Sequence, residues 1–338
     1  MKNKVLYCAG FILLLLAACT EKRYKVDTDS VQVPLHFTYL YKEVLPEDGK
    51  TGPDEVLKSL KAGYPALSRG YLEEILQLGH PDTPFTKVNL AGFLADPYIK
   101  ETRTAIYKTF PDTKSIEKEY TDALKRYSVF TPQAVVPSVV FSYNGFNYAV
   151  VALDTCMLVG MEMYLGEKFS GYTGLNWPDY IRQRRNPELM VPETLTGWLM
   201  TEFPKDNKST TFIDEVVYRG KIIFYLQHLL PDRAEKDLFG YTEQGFNYAL
   251  ENEGNIYGYF IEKQLFYSED KREIIKYTEE APFSAGMPRE TPGRIAWFTG
   301  WRIVSSYMKN HEDVTIDQLM RNHDYKTLFT QSKYKPKK

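Results

Sequence analysis

The chain has 338 residues, 43% of them hydrophobic, with 42 basic and 44 acidic side chains and a formal net charge of −2. That length and apolar content suit one large domain or two intimate ones, and the balanced charge excludes the basic footprint of a nucleic-acid binder. Tyrosine (26) and phenylalanine (19) supply an ample core, whereas three cysteines exclude a disulfide framework.

The N-terminus carries Lys2 and Lys4, then an apolar run over 5–16 that ends in Leu16-Ala17-Ala18-Cys19. The run is short for a membrane-spanning helix, and the small residues before Cys19 read as a processing site. Residues 1–18 are therefore expected to be a signal peptide, Cys19 the site of lipidation and 19–30 a lipidated tether. The tetrapeptide resembles the lipobox of bacterial lipoproteins, which implies cleavage before Cys19 and acylation of its thiol and new amino group. At about 0.8 kcal/mol per buried CH2, several acyl chains hold a protein on a membrane stably. Cys8 leaves with the signal peptide. Cys156, in the apolar run DTCMLVG, reads as a small buried hydrophobe.

Residues 31–40 alternate weakly and suit a first strand or the lead-in to a helix. Residues 45–53 are a loop broken by Pro46, Gly49, Gly52 and Pro53. Short helices are expected over 54–63 and 69–78, with a break at 79–84. Asp96-Pro97 opens a helix to about Phe110, and 113–128 has helical spacing at Ile116, Tyr120, Ala123, Leu124 and Tyr127. The period then changes. Residues 134–143 and 146–153 flank Asn144-Gly145, which predicts a β-hairpin. A buried helix is expected over 154–165, and 172–187 is aromatic and irregular.

Helices follow over 192–203 and 211–230, the second with Thr211 and Asp214 as a capping-box variant. Residues 242–266 read as helical with a break near Gly254, and 268–291 as mostly loop. Thr291 and Pro292 look like the cap and first residue of a helix over 291–310, TPGRIAWFTGWRIVSSYMKN. A short helix over 315–321 and a final turn complete 31–332, read as a single domain, and 333–338 is a solvated basic tail. The pattern predicts an α+β fold, mostly helical, with a small antiparallel sheet.

No catalytic constellation stands out. The five histidines, His36, His80, His228, His311 and His323, include no i, i+4 pair, and no phosphate loop, dinucleotide fingerprint or nucleophile elbow occurs. Glu215, Arg219, Glu253, Arg294 and Arg302 lie amid apolar residues and form the candidate polar core. Arg219 is one turn after Glu215, and Arg294 and Arg302 are expected to close buried ion pairs. No metal site and no cofactor is assigned.

The segments DTCMLVGMEMYLG (154–166), FIDEVVYRGKIIFYLQHLLPD (212–232), EGNIYGYFIEKQLF (253–266) and, most specifically, PGRIAWFTGWRIVSSYM (292–308) resemble the gliding-motility lipoprotein family GldB. The resemblance spans about residues 20–325. It implies an outer-membrane lipoprotein on the periplasmic face that supports gliding motility and the associated type IX secretion machinery, and the lipobox, the aromatic-rich sequence and the missing metal ligands add the expectation that it is non-catalytic and acts through contacts with other envelope proteins. The same pattern is similar to predicted zincin-type proteases, which carry His-Glu-x-x-His on a helix that corresponds here to PETLTGWLMTEF (192–203). That helix has no histidine, so the likeness implies a zincin-like scaffold without its metal. Two other readings are a divergent metallopeptidase using His228, Glu215 and Glu253, and a peptide- or glycan-binding module built on the aromatic loop around Trp177.

Overall fold

The computed structural model describes residues 23–337. The expected signal peptide and Cys19 lie outside the described residues.

Helices of eight residues or more are α1 Pro53–Gly63, α2 Pro84–Ala95, α3 Pro97–Thr109, α4 Lys114–Phe130, α5 Met190–Glu202, α6 Phe212–Leu229, α7 Glu243–Glu251, α8 Glu253–Glu262, α9 Lys271–Thr278, α10 Ile295–Asn310 and α11 Tyr325–Ser332. The strands are β1 Phe37–Tyr39, β2 Ser138–Ser142, β3 Val150–Ala152 and β4 Cys156–Gly160, in sheet order β1-β2-β4-β3. The architecture is mostly helical α+β, as expected. The sheet is mixed, however: β1–β2 and β2–β4 are parallel and only β3–β4 is antiparallel.

The expected pairing across Asn144-Gly145 does not form. β2 and β3 are separated by β4, and the hairpin belongs to β3 and β4, closed where Leu153 N–H donates to Cys156 O (2.8 Å). The run expected as a buried helix over 154–165 is instead β4 followed by a 3-10 turn, Met161–Tyr164. A short continuous apolar run has no period that separates a buried helix from a central strand. Here β4 is central, with both faces covered, and β2 is equally buried.

Asn144-Gly145 still makes a turn, with left-handed backbone at Gly145 (φ 69°) and Phe146 (φ 60°). Glu162, wholly buried, holds it: Oε1 accepts from Asn144 N–H (2.7 Å) and Phe146 N–H (3.1 Å). Burial pushes the Glu162 carboxyl up to about 7, against the lowering effect of those N–H donors. Its folded value lies above the ordinary 4.5, so the folded state binds more protons than the unfolded between 4.5 and about 7. Stability from this group is complete below that window and falls as pH rises through it. Glu162→Gln keeps an acceptor and cannot ionise. It is expected to melt above the parent in alkaline buffer, with the gap closing as pH falls through that window. Glu162→Ala leaves two buried N–H groups unmatched and is expected to cost about 2–4 kcal/mol at any pH, read from urea titrations.

α6 and α10 form the centre. α6 is buried on nearly every side, as a helix in the core of a large protein must be. It crosses α10 where Gly220 meets Gly300: a Cβ on Gly300 would lie 1.9 Å from Val216 O, and one on Gly220 2.2 Å from Gly300 O. The Thr211–Asp214 cap is present, with Thr211 N–H donating to Asp214 Oδ2 (3.0 Å), and Asp96 Oδ1 accepts from Tyr98 N–H (2.7 Å) at the start of α3.

α10 begins at Ile295, not at Thr291. Gly293 lies against Ala281, whose carbonyl oxygen would be 2.3 Å from a Cβ, and Ser284 Oγ donates to Pro292 O (2.7 Å). These contacts spend 291–294 in a turn that ends with Arg294 in left-handed backbone (φ 58°). Several helices exceed the sequence reading, among them the short helices Asp179–Arg182 and Glu235–Phe239 and α11, which replaces the expected final turn. α9 lies inside the expected 268–291 loop, and α2 is marked only by Pro84 at its first turn, because its apolar residues occur all around it.

The N-terminal segment is seated on the body rather than hanging free from Arg23 onward. Tyr24 packs on Phe130, Phe224 and His228, Thr28–Ser30 is a 3-10 turn, and Lys125 Nζ donates to Thr28 O (2.8 Å).

Candidate functional site

The candidate site is a seam of arginines and glutamates between two clefts. Arg184 and Arg185 follow the short helix Asp179–Arg182, Glu193 sits in the first turn of α5, Glu280 follows α9, and Arg294 precedes α10. They converge on the end of the short helix Glu235–Phe239, which Gly240 terminates in left-handed backbone (φ 63°). The free carbonyls of that end draw the guanidinium groups. Arg184 Nη1 donates to Phe239 O (2.9 Å) and Gly240 O (3.0 Å), and Arg294 Nη2 donates to Phe239 O (2.6 Å).

Glu280 Oε1 lies 3.0 Å from Arg184 Nε and 3.8 Å from Arg294 Nη1. Glu193 Oε1 accepts from Arg185 Nη1 (2.9 Å), and its Oε2 is 3.6 Å from Arg184 Nη2. Burial opposes ionisation of Glu280, yet the arginines overcome it and hold the carboxyl below its usual range. Burial, with the like charge of Arg184 adding to it, lowers Arg294 to about 10.

Trp297 continues the seam. Its ring faces Arg219 (4.8 Å) and Arg294 (4.7 Å), and its Nε1 donates to Thr278 O (2.8 Å). Arg219 Nε is 2.6 Å from Glu215 Oε1, Lys205 Nζ reaches Glu215 Oε2, and Arg219 Nη2 is 3.6 Å from Glu279. Burial again raises the Glu215 carboxyl, but Arg219 and Lys205 leave it below the ordinary value.

The first cleft, of 610 Å³, runs from Glu167, Tyr180 and Glu188 to Arg289 and Glu290. The second, of 400 Å³, lies over Tyr148, Thr196 and Trp297. Arg184, Gly240, Glu280 and Arg294 line both. Among the described residues neither lining contains Ser, Cys or His. On the rim of the first cleft, Glu167, Glu188 and Glu290 make no ion pair among the described residues, and neither does Arg289, so the unpaired rim is acidic.

The five sequence candidates do not form one centre. Glu215, Arg219 and Arg294 join the seam. Glu253 and Arg302 form a separate pair (3.1 Å), with Tyr334 OH donating to Glu253 Oε1 (2.7 Å). The tail expected to be solvated is thus attached at Tyr334. His228, Glu215 and Glu253 do not gather as ligands. His228 and Glu215 sit near opposite ends of α6, about 20 Å apart at 1.5 Å per residue. Among the described residues no three His, Cys, Asp or Glu side chains are placed to hold a metal ion. Burial lowers His228 to about 4, and its Nδ1 pairs with Phe224 O (2.7 Å).

Trp177 stacks on Tyr172 (5.1 Å between centroids) and meets the edge of Phe146, so one face is core rather than an open platform. Cys156 is half-buried in β4, and burial raises its thiol. Sequence reasoning missed Arg184, Arg185, Glu193 and Glu280. The signal available was a pair of like-charge doublets, Arg184-Arg185 and Glu279-Glu280, with the second bordering apolar and proline residues.

A family model described as "Gliding motility protein GldB" matches residues 21–336. No curated protein and no solved structure matches the chain.

Proposed function

The chain belongs to the gliding motility protein GldB family, and from that premise we propose that it is a non-catalytic, lipid-anchored envelope protein that binds a partner through the first cleft. The cell envelope is the location that membership suggests, and no helix among the described residues is long and apolar enough to cross a membrane. Within the envelope, the proposed place is the periplasmic face of the outer membrane, held by lipid on Cys19.

The observation that carries the binding reading is the state of the seam's polar groups. Catalysis by proton transfer needs a base or acid poised to change charge near the working pH. Glu193, Glu215 and Glu280 are instead paired with arginine or lysine, and the cleft linings offer no Ser, Cys or His nucleophile. Such a seam is a rigid floor. The acidic rim above it suits a basic segment of an envelope protein, with charge setting orientation and encounter rate more than affinity.

The test is complementation of a deletion strain. Glu167→Lys/Glu188→Lys/Glu290→Lys is expected to abolish surface motility or export of surface proteins while the protein stays folded and membrane-bound. Full rescue by that triple variant would remove the cleft from the function. A stoichiometric zinc ion on the purified chain, together with peptide cleavage, would overturn the non-catalytic reading.

A further inference from the structure

The seated N-terminal segment has a consequence for how the body stands on a membrane. The C-terminal turns of α4, α6 and α10 meet at one end of the molecule, around Arg23 and Tyr24. Arg23 Nη1 donates to Met308 O (3.1 Å) in the last turn of α10, and Arg23 Nη2 donates to Val314 O. A guanidinium suits this place because the last carbonyls of a helix have no partner within it. Beside it, the Tyr24 ring lies 6.5 Å from Phe130 at the end of α4, and 5.7 Å and 4.0 Å from Phe224 and His228 at the end of α6.

From Cys19 to Arg23 the chain advances by only four residues. Fully extended, that reaches about 14 Å. A lipid on Cys19 therefore cannot be far from the end of the body that Arg23 and Tyr24 occupy. Val129, 45% exposed, lies beside Phe130 in the last turn of α4 at that same end.

The seam lies at the other end of α10. Arg294 immediately precedes the helix and Met308 is in its last turn, so about 20 Å of helix separates the tether's seat from the two clefts.

We propose that the docked tether holds this protein in one orientation on the bilayer, with the C-terminal ends of α4, α6 and α10 against the lipid surface and the first cleft presented to the aqueous phase. This rests on the lipid-anchor reading above. The occupant of the tether end is the bilayer itself, brought there by the covalent reach of four residues, and α10 is the spacer that lifts the cleft from it. A partner would then meet the cleft from the compartment side rather than within the plane of the membrane.

The experiment uses the lipidated full chain in vesicles of phosphatidylethanolamine and phosphatidylglycerol that contain a headgroup nitroxide quencher. A fluorophore is placed by Lys309→Cys or by Glu290→Cys, each with Cys156→Ser. The label at 309 is expected to be quenched severalfold more than the label at 290. Inserting ten Gly/Ser residues between Glu21 and Lys22 leaves the seat intact and is expected to erase most of that difference. Arg23→Ala/Tyr24→Ala is expected to do the same by releasing the seat. Equal quenching at both positions with the natural tether, or stronger quenching at 290, would overturn the proposed orientation while leaving the anchor standing. Absence of acyl mass on Cys19, with no flotation of the protein on vesicles, would overturn the anchor and the orientation together.

Discussion

Gly300→Ala is expected to be the most damaging small substitution in this protein, lowering stability by about 3 kcal/mol or more and the melting temperature by on the order of 5–10 °C. The reason is where the added methyl would go. Its nearest neighbours are Val216 O at 1.9 Å and Gly220 N at 2.9 Å, which are backbone atoms of α6. A flexible side chain can swing away, but a helix backbone moves only as a whole. α6 and α10 would have to separate, and every buried pair along their contact would loosen with them. Gly258→Ala in α8 is the control, because a Cβ there meets nothing within 4 Å. It should be neutral or stabilise by up to about 1 kcal/mol, the ordinary helix preference for alanine. Thermal unfolding followed by circular dichroism decides the matter. If the two variants melted alike, the close crossing would not be what holds the centre.

The second large effect is expected at Glu280. Glu280→Gln removes the carboxylate that Arg184 and Arg294 share and leaves two guanidinium groups facing each other with Glu193 alone nearby. Breaking a buried pair by removing one partner costs about 3–5 kcal/mol, and about 3 is expected here because the Glu280 side chain is 32% exposed. The penalty is one of uncompensated charge. Glu280→Gln combined with Arg294→Met should therefore cost less than the sum of the two changes made singly.

The pH dependence has a definite sign. The folded carboxyl of Glu280 is held below the ordinary 4.5. Its contribution is present above that value and is lost as pH falls through the depressed folded value. The parent should therefore lose its advantage over Glu280→Gln on acidification below 4.5, the direction opposite to Glu162, where protonation favours the fold. Urea titrations near neutral and in acid would show it, and a constant gap at all pH would mean that Glu280 carries little charge coupling.

Local signals survived into the structure where the chemistry that makes an element lies within a few residues. Asp96-Pro97 opens α3, Thr211 and Asp214 cap α6, and the break before Gly254 falls at Asn252 between α7 and α8. Each is decided by a backbone N–H, a carboxylate or a proline ring acting on its own turn. Glu215 and Arg219 pair for the same reason, being one helical turn apart.

The failures share the opposite character. Asn144-Gly145 chose a turn but not a partner strand, because pairing is settled by β4 entering between β2 and β3. The run DTCMLVGMEMYLG carries no period, so only the packing around it selects strand over helix. Thr291 and Pro292 have the chemistry of a helix start, yet the contacts of Gly293 and Pro292 with Ala281 and Ser284 claim those residues first. Arg184, Glu193, Glu280 and Arg294 come from separate stretches of chain, and no spacing rule joins them.

The sequence by itself determined the mostly helical α+β composition, most helix starts and the family, because each is written in contiguous residues. Only the tertiary structure decided the mixed strand order, the Gly220–Gly300 crossing, the charged seam between the clefts and the seating of Arg23 and Tyr24. Those depend on which distant segments share the same buried space, where a misplaced methyl or an unpaired charge costs more than any local preference can supply.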